Sequence, residues 1–136
     1  MSKVFCYCEM NDKTGFGHFN RIKILLKILN IRKAEIFTKN KKNASQFFKG
    51  HKIIFKKNVF DYLVKNHKKY KLLIMDPPYY PNQLRQQENF SKKFKKIYFI
   101  KKKKFKTMWL TDEEKPSPKF CDILINDFPL AQKFKS

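Results

Sequence analysis

The feature that most constrains this chain is an alternation between short β-rich apolar runs and longer runs of helical period. The segment "KLLIMD" (71–76) shows the first kind clearly, being almost continuously apolar until it stops at Asp-Pro-Pro. A strand covered on both faces has no polar side. A run of this length ended by prolines therefore marks a buried parallel strand and the loop after it. "KVFCYC" (3–8), "AEIFTK" (34–39), "KIIFKK" (52–57), "KIYFIK" (96–101) and "CDILIN" (121–126) read as further strands. Between them, Ile22, Leu25, Leu26 and Leu29 recur after Phe19 at the spacing of one helix face, with Lys23, Lys27 and Asn30 outward. "NASQFF" (43–48) reads as a short helix capped by Asn43, and "VFDYLVKNHKKY" (59–70) and "NQLRQQENFSKKF" (82–94) as longer ones. "TDEEKPSPK" (111–119) is a polar loop, and no internal repeat is present.

Strands alternating with helices imply βαβ units joined by right-handed crossovers. The expectation is an α/β fold: a mostly parallel sheet of about six strands, helices on both faces, in one domain over 1–136. A chain of 136 residues buries a core without staples, and 42% hydrophobic residues exclude a disordered chain. No apolar run approaches the ~18 residues of a membrane-spanning helix. The amino-terminal "MSKVFCYCEMNDK" lacks the layout of a signal peptide. Cys6, Cys8 and Cys121 lack zinc-ligand spacing and read as buried thiols of a reducing compartment, which places the chain in the cytoplasm.

The net charge of +21 suggests a nucleic-acid partner, but only three of the 32 basic residues are arginine (Arg21, Arg32, Arg85). Arginine supplies the two-pronged donor used to read bases and phosphates, so a dedicated reader would not lean this far toward lysine. The lysines are also dispersed, "KKKK" at 101–104 being the one tight run, and the composition resembles that of an A+T-rich coding sequence. Nonspecific attraction to polyanions follows on either account.

In a parallel sheet, ligands sit beyond the carboxyl ends of the strands. Two segments with unusual chemistry fall there. In "TGFGHFNR" (14–21), Gly15 and Gly17 allow a close approach of backbone to ligand, and the helix that follows offers its free N–H groups to an anion. Asn20 stands where a dinucleotide fingerprint needs glycine, and the spacing is not that of a P-loop. His18 at a helix start is biased toward the neutral form, suited to a general base. Arg21, one turn later, suits an anionic group. The plainer alternative is that His18 packs at the turn and Arg21 is a solvated charge. The second segment is "DPPYYPN" (76–82), whose prolines also suit a stiff connection with Tyr79 and Tyr80 covering the sheet edge. His51 and His67, set among lysines, read as surface positions. Asp112, Glu113 and Glu114 read as a solvated turn.

The order of strand, polar loop, G-F-G-H-F-N-R and apolar helix resembles the start of the UDP-sugar hydrolases of nonulosonic (pseudaminic) acid synthesis and the related spore-coat polysaccharide proteins. That family carries G-x-G-H-x-x-R after its first strand and belongs to the two-domain GT-B glycosyltransferase superfamily. Gly15, Gly17, His18 and Arg21 match the motif position by position. "YKLLIMDPPYY" is similar to the family's strand ending in Asp plus an aromatic, and "FCDILIND" to a later strand. The resemblance implies a single Rossmann-like half of a GT-B fold. It implies that His18 activates water for cleavage at the anomeric carbon of a nucleotide sugar, without metal or cofactor. Gly15, Phe16, Gly17, Arg21, Asp76 and Tyr79 would then bind the substrate. The family's second Rossmann domain holds most UDP contacts, so the resemblance also implies a split or truncated enzyme partnered by a second Rossmann-domain protein.

"LLIMDPPYY" (72–80) also matches the [DNS]-P-P-[YFW] motif of adenine-N6 and related amino-methyltransferases. In that resemblance Asp76 and the Pro77–Pro78 segment accept the hydrogens of the target amine, Tyr79 stacks on a flipped base, and S-adenosylmethionine is the cofactor. Against it, the glycines here are followed by His and Arg. "FTKNKK" is also basic where an acid would hold the ribose hydroxyls. A third reading is a non-enzymatic basic domain that binds polyanions.

Overall fold

The computed structural model describes residues 3–9, 17–39, 41–76, 84–100, 104–111 and 121–126. Along these segments run β1 (Val4–Cys8), α1 (Gly17–Ile28), β2 (Glu35–Phe37), α2 (Lys41–Phe47), β3 (Lys52–Ile54), α3 (Val59–Asn66), β4 (Leu72–Asp76), α4 (Leu84–Phe99), β5 (Lys106–Thr111) and β6 (Ile123–Asn126). A single 3-10 turn, His67–Lys69, joins α3 to β4.

Local chemistry explains most of these boundaries. In α1 the residues Phe19, Ile22, Leu25 and Leu26 are buried while Lys23 and Lys27 are exposed, as the apolar period requires. The helix closes at Asn30, whose φ of 57° is the left-handed conformation that asparagine tolerates well. The next amide, of Ile31, reaches back to the Leu26 carbonyl at 2.9 Å. At the start of α3, the Asn58 side chain accepts the amides of Phe60 (2.8 Å) and Asp61 (3.2 Å), satisfying two of the helix's orphan donors.

Two expectations are corrected here. The short second helix starts at Lys41, so Asn43 lies within it and does not cap it. The expected strand "KIYFIK" is mostly the last turn of α4, which runs to Phe99. The reason is spacing: Phe90, Phe94 and Ile97 form one apolar stripe at i, i+4 and i+7, with Lys92, Lys93, Lys95 and Lys96 on the exposed side. The fifth strand is instead "KTMWLT" (Lys106–Thr111), to which the sequence reading gave no element.

The six strands form one sheet in the order β3-β2-β1-β4-β5-β6, and every neighbouring pair is parallel. This is the Rossmann-like doubly wound order, and its consequence is geometric. From β1 the chain steps outward one way to β2 and β3, then crosses back and steps the other way through β4, β5 and β6. Right-handed crossovers in opposite directions must lie on opposite faces. The packing agrees: α1 and α2 share a core with Cys6, Cys8, Ile36, Ile74 and Met108, whereas α3 and α4 share another with Phe5, Tyr7, Phe37, Leu73 and Trp109. Alternate residues of each central strand thus feed different cores. Both faces being covered accounts for the continuous apolar runs.

Candidate functional site

The direction of winding reverses between β1 and β4, and these two strands pair along their whole length down to Cys8 opposite Asp76. Both residues end their strands at the carboxyl edge of the sheet. With helices diverging to opposite faces there, this edge is where the ligand crevice of doubly wound sheets generally lies. The helix α1 begins beside it, at Gly17, with its first-turn amides at the same end of the sheet.

Asp76 lies on the α1 face, two residues beyond the buried Ile74, and its side chain is wholly buried. Arg21 reaches over it from the second turn of α1, and its Nη2 donates to Asp76 Oδ1 at 2.6 Å. The guanidinium keeps 22% of its side-chain surface exposed, while the carboxylate has none. A short charge-assisted bond of this kind is among the stronger hydrogen bonds a protein makes. Removing one partner from such a pair is costly, because the other charge stays behind in a poorly solvated place. The pair therefore fixes the first turns of α1 against the end of β4.

The sequence-based site residues fall into three groups. Arg21 and Asp76, 55 positions apart, are brought into direct contact. Gly17 and His18 open α1, four and three residues ahead of Arg21, with the His18 side chain outside the described residues. Gly15, Phe16, Tyr79 and the prolines between Asp76 and Tyr79 lie outside them as well, as do Asp112, Glu113 and Glu114.

Other groups near the crevice are committed to structure. Burial first, and then the charge of Asp76, push the Cys8 thiol well above its ordinary value. Burial does the same to Cys6, so neither is a thiolate nucleophile at neutral pH. Glu9, just past β1, accepts the amide of Lys39, just past β2, at 2.9 Å. Neither described histidine away from α1 is the surface residue expected. His67 is 6% exposed and faces the Phe105 ring, because the 3-10 turn folds it under the sheet. His51 is half-buried and accepts the Ala34 amide on Nδ1 at 2.9 Å, and burial lowers its pKa. At the opposite, amino edge, Asp122 clamps β5 to β6 by accepting the amide and hydroxyl of Thr107 at 2.8 and 3.1 Å.

One polar constellation was missed from the sequence altogether. Glu35, in β2, is 5% exposed on the face opposite Asp76. The Tyr70 hydroxyl donates to its Oε1 at 2.9 Å, and the hydroxyls of Tyr62 and Tyr70 lie 2.7 Å apart. Because the Tyr70 proton is given to Glu35, Tyr62 must be the donor to Tyr70. Burial raises both phenols above their ordinary range, which keeps them protonated as donors. The available signal was an acid set among apolar residues in "AEIF".

Among the described residues, no group of three or more His, Cys, Asp or Glu side chains is arranged to hold a metal ion. Among them too, no helix is long and apolar enough to cross a membrane. Compared with protein-family models, curated proteins and solved structures, the chain gives no match.

Proposed function

We propose that the crevice between β1 and β4 is a nucleotide-sugar site, and that the chain is the Rossmann-like half of a UDP-sugar hydrolase or glycosyltransferase-like enzyme of cell-surface sugar synthesis. The observation that supports this most is the Arg21–Asp76 bond. The glycine-histidine turn and the "DPPYY" segment carry the resemblance independently. A single ion pair ties the helix of the first to the strand of the second, at the point where a doubly wound sheet takes its ligand. In this reading His18 is the general base, kept neutral by the helix terminus, and activates water against the anomeric carbon. Gly15, Phe16 and Gly17 supply backbone to the diphosphate, and Tyr79 borders the sugar. Arg21 is occupied by Asp76, so its part is to hold the helix start in place. A second Rossmann domain closes the other side of the substrate.

The test is release of UDP from UDP-sugars by the chain, alone and with a candidate second-domain protein supplied. Turnover is expected to fall at least a hundredfold in His18→Ala. Equal turnover in wild type and variant would remove the assignment.

The second reading, amino-methyl transfer, has one observation in its favour: the Asp of "DPPYY" ends β4 at the switch point. It asks Asp76 to accept the target amine, yet that carboxylate is wholly buried under Arg21. The residues following β2, Thr38 and Lys39, also offer no acid for a ribose. Thermal shifts with UDP, UDP-sugars and S-adenosylmethionine separate the two readings.

A further inference from the structure

We infer that the outer edge of the sheet, along β3 and α3, is a binding surface for single-stranded nucleic acid, separate from the crevice at the switch point. β3 is an edge strand. Beside it a depression of about 680 Å³ runs between β3, the segment after it and α3. Five lysines line it, Lys52, Lys56, Lys57, Lys65 and Lys69, against one acid, Asp61. All five are exposed, and among the described residues none of them is in a salt bridge. Their charges are thus available to a ligand and are not spent on the fold.

The order of the lysines follows from the βα unit. Lys52 starts β3, and Lys56 and Lys57 follow its carboxyl end. α3 and the 3-10 turn after it then run back along the strand, returning Lys65 and Lys69 toward Lys52. The result is a line of positive charge along the edge, the shape that tracks a phosphate backbone. Phe55 stands in the same depression and in a smaller neighbour of about 480 Å³ shared with Lys39, Lys56 and Lys57. It follows β3 directly and is 55% exposed, so a polar residue could stand there at no cost to the core. An exposed aromatic ring among cations offers a base a stacking face, which an acidic peptide or a lipid headgroup would not use. The Lys-for-Arg bias suits this role, because backbone tracking needs point charges and not two-pronged base readout.

The experiment is fluorescence anisotropy with a labelled single-stranded oligonucleotide of about 15 nucleotides, titrated with the full chain over a range of salt. Three variants are compared with wild type: Phe55→Ala, the charge reversal K56E/K57E/K65E, and a control reversal K92E/K93E/K96E on the exposed side of α4. Circular dichroism confirms that each is folded. We expect the groove reversal to weaken binding by at least about a hundredfold and to flatten the salt dependence, since each lost phosphate contact removes about 0.7 from the slope. Phe55→Ala is expected to weaken binding about tenfold at every salt concentration. The control should lose far less than the groove reversal. Equal losses in groove and control variants would overturn the inference by showing that the charge of the whole surface is responsible. An unchanged Phe55→Ala, or tighter binding to a poly-glutamate peptide than to the oligonucleotide, would overturn it too. Activity at His18 plays no part in any of these readouts, so this surface and the proposed crevice stand or fall separately.

Discussion

The sheet buries two carboxylates, one on each face, and they are held in different ways. Asp76 ends β4 on the α1 face, where a guanidinium lies 2.6 Å away. Glu35 opens β2 on the α3 face, where the partner is the phenol of Tyr70, itself backed by Tyr62. The first arrangement is a charge matched by a charge; the second is a carboxylate met by a relay of neutral hydroxyls. A buried ion pair is unforgiving when one member is lost, whereas a chain of phenols loses one hydrogen bond at a time. Their surroundings fit this difference. The ion pair sits within a turn of His18 at the start of α1, and the relay ends at Tyr62, on the wall of the lysine-lined edge.

The comparison is broken most severely by Arg21→Ala. Asp76 would remain wholly buried without its guanidinium, at a cost of about 3–5 kcal/mol. For a domain of this size that corresponds to a fall of roughly 10–15 °C in Tm, measurable by thermal circular dichroism. The double variant Arg21→Met with Asp76→Leu should recover most of this, because a well-packed apolar pair replaces a buried ion pair at little cost. If the double variant is no better than the single one, the pair is not the source of the loss. Next in size is Tyr70→Phe, which removes the hydroxyl between Tyr62 and Glu35 and should cost about 1–3 kcal/mol in denaturant unfolding. The smallest effect is expected from Tyr62→Phe, about 0.5–1.5 kcal/mol, since Glu35 keeps its direct donor. A larger loss from Tyr62 than from Tyr70 would reverse the donor order assigned to the relay.

The fold class was legible because coverage on both faces leaves a plain mark, the uninterrupted apolar run. Five of the six strands lie where such runs were read. The exception is instructive: "KIYFIK" has a strand's composition, but its Ile97 completes a stripe begun at Phe90 and Phe94, and helical period outweighs β propensity. β5 escaped notice although Thr107 and Trp109 alternate with Met108 and Leu110, because a lysine-rich stretch leads into it. The site was legible only in its parts. Nothing in the residue types around Arg21 and Asp76 signals that they meet, since that contact depends on a strand order which brings β4 beside β1. The Glu35 relay was hidden for the same reason, its members coming from β2, α3 and the residue that closes the 3-10 turn before β4.

The central place of β1 also has a consequence in time. On one side it pairs with β2, about 30 residues away, but on the other with β4, which joins residues 4–8 to 72–76. As the chain emerges, the first three strands can assemble early, with the inner edge of β1 still open. Closing that edge awaits residues 55–76, and long-range parallel pairing of this kind is slow. During that interval Phe5, Cys6, Tyr7 and Cys8 line an apolar strand with one edge unpaired, the state in which such chains most readily associate with one another. Arrival of β4 ends that exposure and brings Asp76 to Arg21 in the same step, so closure of the inner edge of β1 and formation of the ion pair are one kinetic event.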